Sequence, residues 1–432
     1  MYRRAVSSRV SNTGILACVV LACALPPARA QIYASNLPSD HAAILYQSAA
    51  LDDAATRLGK QLASGKTRLA FREGGFGYLP GLLEYFGINP DTQALVFSQT
   101  SFQASKISPR NPRAIYFNDE VAVGWVRGGE GIEVAALDPT QGIVFYSLTG
   151  GTLARRQECL HCHIGSATLG VPGMFVGSVY PNAFGRPDRT GAIITDHRTP
   201  FSDRWGGWYV NAARGQQRDR ANATAPDPAE PHALMTEGKQ NLASLTREFN
   251  TAGYLSPVSD IVALMTFEHQ TQMVNFFTRL GWEARIAEHD RKHDPQPDRQ
   301  LEADIESAIQ GTVAYMLFVD EAPLQEPVEG ISTFTRTFPQ RGPRDRQGRS
   351  LRDFDLQTRL FRYPLSYMVY SRAFDALPEG VRARIYRRLY DVLSGKERSA
   401  KFARISGSDR RAILEILGET KPRLPAYWKD HV

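Results

Sequence analysis

The apolar positions along this chain first keep a helical period, then fall into short β-like runs, and later return to helical spacing. Ala42 to Leu62 carries apolar residues at helical intervals and predicts a helix, and Tyr78 to Phe86 predicts a short second one. Strand-like runs follow at Ala94–Ser98, Ala114–Asn118, Val121–Val126, Ile132–Leu137 and Ile143–Leu148. They are rich in β-branched and aromatic residues, and Asn118-Asp119, Gly128-Gly129 and Asp138 to Gly142 separate them as turns. Runs so short and closely spaced predict an antiparallel sheet.

From Leu153 onward the pattern is of helices joined by irregular segments. Arg186 to Gln240 is rich in Gly, Pro, Arg and Asn and reads as ordered loop. Ser256-Pro257 offers an N-cap and a first-turn proline. The helix it would open carries Ile261, Val262, Met265, His269, Met273, Phe276 and Leu280 on one stripe. Further helices are predicted at Leu301–Val319, Pro364–Ala376, Val381–Leu393 and Asp409–Leu417, with Gly395 and Gly418 as C-caps. Glu288–Gln300 and Asp320–Ser350 read as surface connections. The fold class predicted is α+β: an antiparallel-sheet-rich region over 31–150, then a mainly helical region over 151–432. No internal repeat and no low-complexity linker marks a further boundary.

Residues 1–30 change how composition is read. Arg3, Arg4 and Arg9 precede an apolar stretch, Ile15 to Leu25, too short to span a bilayer, and Pro26 to Ala30 ends it with a small-x-small cleavage site. The segment therefore reads as a cleaved signal peptide and sends the protein to the periplasm or another exported location. Lipoprotein processing at Cys23 is the weaker alternative, because Leu21 fits it poorly. Cleavage removes four arginines, so 51 basic residues become 47 against 45 acidic, and the net charge falls from +6 to +2. The basic balance is then no argument for nucleic acid. No later stretch is long and apolar enough for a transmembrane helix. Cys18 and Cys23 leave with the leader, so Cys159 and Cys162 are the only thiols of the mature protein.

Those two cysteines stand in Cys159-Leu160-His161-Cys162-His163, a C-x-x-C-H sequence, the attachment signature of a covalent haem. Residues three apart share a helical face, so both thiols reach the vinyl groups along one porphyrin edge. His163 then lies under the iron as proximal ligand, and its other ring nitrogen should donate to a backbone carbonyl. Two competitors use the same residues. A thioredoxin-type dithiol has no role for His163, and a zinc site would crowd Cys159, Cys162, His161 and His163 together with no second pair elsewhere. His161 reads as a solvated spacer. Gly165 to Gly173 would let backbone approach a flat macrocycle, and Phe175, Val176, Val179 and Tyr180 would wall it.

The distal side stays open among several candidates. His269 comes first, mid-helix on an apolar stripe, where a buried imidazole needs a partner; a hydrogen-bonded core histidine is the alternative. Met265 and Met273 lie one turn to either side, His197 sits in Thr195 to Pro200, and Met174 follows His163 closely. An open position on the iron is the remaining possibility. Arg198, Arg204 or Arg214 would meet haem propionates, with Trp205 to Tyr209 packed against the cofactor or forming an aromatic corner. Arg382, Arg384, Arg387 and Arg388 present a basic face that would steer an acidic partner or simply be solvated.

Around the motif the sequence resembles a group of large bacterial exported single-haem c-type cytochromes. The resemblance rests on the mid-sequence C-x-x-C-H, Leu169–Gly173, Thr195–Tyr209, Ser259–Gln270 and Phe361–Tyr367, and so covers about residues 150–432. It implies one haem c and electron transfer with a redox partner protein, and names no substrate. The sequence departs from the small cytochrome c pattern, so a distal methionine does not carry over by position. A haem oxidoreductase of peroxidase type, with an open iron, is the alternative function, although one attachment motif disfavours a dihaem peroxidase. A haem-based sensor is the third class. Oligomeric state is left open.

Overall fold

The β-like runs are strands: Ala94–Val96 (β1), Arg113–Phe117 (β2), Val121–Trp125 (β3), Ile132–Asp138 (β4) and Gly142–Thr149 (β5). Thr152–Arg155 (β6) and Trp208–Tyr209 (β9) extend them to a seven-stranded antiparallel sheet of order β6-β5-β4-β3-β2-β1-β9. Val176–Ser178 (β7) and Ile193–Thr195 (β8) form a separate two-stranded ribbon. The computed structural model describes residues 35–293 and 299–431. The leader, with Cys18 and Cys23, lies outside them.

Alternation along the strands sends side chains into two cores. Val144, Tyr146 and Leu148 of β5 face one, with Tyr116, Val123 and Val134; Ile143 and Phe145 face the other, with Ile115, Phe117 and Leu137. Both faces being covered explains why these runs read as nearly continuous apolar stretches. The helices Ala54–Ala63 (α1) and Leu79–Phe86 (α2) pack on the first face. The second face meets the 33-residue helix Ile261–His293 (α4), which is buried along most of its length. Against α4 pack Arg299–Met316 (α5), Phe334–Gln340 (α6) and Arg372–Asp375 (α7), while Glu379–Leu393 (α8) packs on α5 and Gly407–Thr420 (α9) on α8. The short helix Leu160–His163 (α3) carries the C-x-x-C-H sequence. The fold is α+β, and no helix among the described residues is long and apolar enough to cross a membrane.

Several sequence expectations change. The predicted division at residue 150 cuts through the sheet, because β6 and β9 come from the second region and complete it. The described residues on both sides of that division belong to one compact unit, Tyr33–Val432. The first helix starts only at Ala54, where Asp53 Oδ1 accepts the Thr56 N–H at 2.8 Å. Residues 39–48 are turns instead, held by the Tyr46 hydroxyl donating to Ile143 O at 2.7 Å. Asp260, not Ser256, caps α4: its Oδ1 accepts from Val262 N at 2.8 Å and Ala263 N at 3.2 Å. Gly418 lies inside α9. Pro364–Ala376 yields a 3₁₀ turn, Tyr367–Tyr370, and the short α7. Asp320–Ser350 is not wholly surface, since α6 buries Phe334 and Phe338.

Candidate functional site

Residues 156–173 fold as a turn on the sheet's outer strands. Arg156 N–H donates to Phe145 O at 2.8 Å, and α3 closes with the N–H groups of His163 and Ile164 donating to Cys159 O (3.1 Å) and Leu160 O (3.0 Å). The backbone then returns so that Gly173 N–H donates to His163 O at 3.0 Å. Gly173 has to be glycine here, because a Cβ would lie 2.0 Å from Asn275 Oδ1 on α4. Asn275 Nδ2 donates to Met174 O at 2.8 Å. Leu169 sits in the left-handed region at φ 57°, and Arg279 pins that turn by donating to Leu169 O at 2.6 Å. Gly173 thus serves close packing on the protein's own helix, whereas a Cβ at Gly165 would meet open space.

The imidazole of His163 is fixed from one side. Its Nδ1 lies 2.8 Å from Gly173 O, and its ring sits 4.6 Å from that of Phe145 and 5.5 Å from that of Phe175. A carbonyl only accepts, so Nδ1 carries the proton and Nε2 the lone pair. Among the described residues the ring's hydrogen bond is the one at Nδ1, and the residue is half-buried, not sealed in the core. Burial pushes the His163 pKa down, which keeps the ring neutral. A neutral imidazole with its second nitrogen anchored is the arrangement a metal-ligating histidine needs. Of the expected wall residues, Phe175 touches the ring, whereas Val176 and Val179 are buried in the protein interior.

The thiols differ in exposure. Cys159 is half-buried and Cys162 exposed, and neither is in a disulfide. Burial pushes the Cys159 thiol up to about 11. Among the described residues, Cys159, Cys162, His161 and His163 also form no group of three whose ligand atoms gather within 4.8 Å. His161 is exposed, with Nδ1 turned to Glu158 O at 2.9 Å. Thioether formation needs no thiolate at rest, only two thiols on one accessible turn beside a free imidazole nitrogen. The residues present fit a covalently attached haem.

His269, the first candidate for the distal position, has another occupation. Its Nε2 lies 2.7 Å from Ser366 Oγ and its Nδ1 2.9 Å from His197 Nδ1, so both ring nitrogens already have protein partners. The pair is sealed in the core, stacked among Tyr315 and Phe318. His269 is therefore a hydrogen-bonded core histidine, the alternative its place on an apolar stripe left open. His197 keeps Nε2 unpartnered but fully buried. Met265 and Met273 are core residues; Met174 alone of the candidates is only partly buried.

Beside this pair lies a buried acid that sequence reasoning missed. Glu268 accepts from Thr195 Oγ1 (2.7 Å), Trp205 Nε1 (3.0 Å) and Arg204 Nη1 (3.3 Å), with no exposed surface of its own. Burial pushes its pKa up to about 7, against the downward pull of Arg204. The Glu268-His269-Gln270 run inside an apolar stripe was the available signal. Arg204 is thus committed to Glu268, Arg214 to Asp219 at 2.9 Å, and Arg198 to Asp196 at 2.5 Å. The expected propionate partners are spent within the protein because three buried or nearly buried carboxylates need them. The basic face of α8 is similarly used: Arg384 pairs with Glu306 at 2.5 Å and Arg388 with Glu397 at 2.6 Å.

Acid should act first on the histidine pair. Burial lowers His269 to about 3 and His197 well below 6.5. A lowered folded-state pKa means the unfolded state binds the proton first, so this stabilisation is complete above pH 6.5 and is lost as the pH falls toward 3. Denaturation midpoints of the wild type should fall across that window. The variant His197→Leu/His269→Leu should start lower and show a flatter acid limb; an equally steep limb would assign acid lability elsewhere.

Comparison of the sequence and fold with protein-family models, with curated proteins and with solved structures gives no match.

Proposed function

We propose that the protein carries one haem c, bound by thioethers from Cys159 and Cys162 with His163 on the iron, and serves in electron transfer outside the cytoplasm. The observation that carries this reading is the His163 ring, anchored through Nδ1–H to Gly173 O at 2.8 Å with Nε2 free, on the turn that presents both thiols. Haem supplies one-electron exchange between ferric and ferrous iron. The protein's own residues supply the attachment, a neutral axial nitrogen whose basicity the Gly173 carbonyl raises, and the Phe145 and Phe175 rings that hold the imidazole plane. Export is supported by the leader-like first thirty residues, and a carrier of this kind needs a redox partner protein.

A second reading, an oxidoreductase with an open distal position, is favoured by one observation: both nitrogens of His269 are already bonded. Absorption spectra of ferric and ferrous protein, with and without carbon monoxide, separate the two. Six-coordinate low-spin iron indifferent to carbon monoxide supports the carrier, and high-spin iron that binds it overturns the carrier in favour of the enzyme. On either reading, His269→Ala should leave the haem spectrum of the folded protein unchanged. A change of spin state would return His269 to the iron.

A further inference from the structure

Far along α4 from the buried histidines, three metal-type donors meet on the surface. His41 Nε2 lies 3.1 Å from Asp290 Oδ1, and His289 Nδ1 lies 3.2 Å from the same oxygen. The three ligand atoms fall within 4.8 Å of one another. We propose that His41, His289 and Asp290 bind a divalent transition-metal ion of the zinc class. Two imidazoles and one carboxylate are a borderline donor set suited to zinc, nickel or copper, whereas calcium and magnesium call for oxygen alone.

Three further features fit an ion. Two imidazole nitrogens converge on one carboxylate oxygen, so the three donors already face a common point where a cation would sit. His293, one helical turn beyond His289, stacks on its ring at 4.3 Å with Nδ1 turned to His289 O at 2.8 Å, and so supports the ring's position and is no ligand. His41 and His289 are half-buried and Asp290 is exposed, which leaves an entry path and room for water in the remaining coordination positions. Binding through Nε2 of His41 moves its ring proton to Nδ1 and gives up the 3.2 Å contact from Ala43 N–H. Ala43 is half-buried, so water takes over that donor.

The ion would act as a clip. His41 belongs to the turns at residues 39–48, whose hydrogen bonds to the body include Gln141 Nε2 donating to Ile44 O at 3.1 Å, the Tyr46 hydroxyl donating to Ile143 O, Arg155 donating to Tyr46 O at 2.8 Å and Gln47 O at 3.1 Å, and Arg285 on α4 donating to Ala43 O at 3.5 Å. Metal ligation would tie this segment directly to the end of α4 and close a very long loop. The site owes nothing to the haem reading.

Calorimetric titration of Zn²⁺ into the chelator-treated protein as isolated after leader cleavage, with any haem it carries, tests the proposal. One equivalent should bind, and saturating Zn²⁺ should raise the melting temperature where Mg²⁺ does not. His41→Ala and His289→Ala should each weaken binding by about tenfold or more and abolish the rise, with the circular dichroism of the metal-free protein unchanged. Asp290→Asn, nearly isosteric, should do the same without risk to the fold. Absence of saturable uptake, an equal effect of Mg²⁺, or uptake undiminished in all three variants would overturn it.

Discussion

Serine at both Cys159 and Cys162 is expected to abolish covalent haem while leaving the protein folded. The thiols are the only atoms on the turn that can bond to porphyrin vinyl groups, and a hydroxyl does not replace them. The structural cost is small: Cys162 is exposed and Cys159 half-buried, so serine should change stability by less than about 1 kcal/mol. Each single variant keeps one possible thioether and should retain haem in part. Wild type and variants produced with a cytochrome c maturation system would be compared by haem staining after denaturing electrophoresis and by intact mass. Haem that stays attached in the double variant, or a wild type that never acquires it, would sink the attachment reading. His163→Ala is the companion: haem should remain attached while the axial ligation changes.

The second large effect is on stability. Glu268→Ala should destabilise the fold by about 3–5 kcal/mol, because it leaves the Arg204 guanidinium, 2% exposed, without its counter-ion in the core. Thr195 and Trp205 lose their acceptor in the same change, and Trp205 is wholly buried at φ 67°, a backbone region that bulky residues rarely enter. Glu268→Gln keeps a carbonyl acceptor and should cost less. Guanidinium denaturation at neutral pH measures both. A Glu268→Ala midpoint equal to that of the wild type would mean that Arg204 reaches water and that the pair is not structural. The haem spectrum of the surviving folded fraction should not move.

What could be read in advance was local. The strand runs were legible because burial of both sheet faces leaves an apolar, β-branched record in each segment. The turn that pairs two thiols with a histidine was legible because its five residues sit on one helical turn. The carbonyl partner of His163 was legible in kind, but Gly173 as its source was not. Helix starts were misjudged where a side chain further along supplied the cap, as Asp260 did instead of Ser256.

The distal residues show why the remainder was hidden. In a one-dimensional pattern His269 is a lone polar residue on an apolar stripe, and iron, Ser366 and His197 are equal candidates to satisfy it. Ser366 is 97 positions away and His197 is 72, and only packing brings them within 2.9 Å. The same holds for Arg204, which reads as a propionate ligand until Glu268 is placed beside it, and for β9, which completes the sheet from the far side of the supposed boundary. The sequence alone determined the α+β class, most of the sheet and the C-x-x-C-H turn, each set by residues near one another along the backbone. The tertiary structure decided which imidazole nitrogen is left free and which charges are spent, because a polar group's availability depends on every neighbour that the fold brings to it.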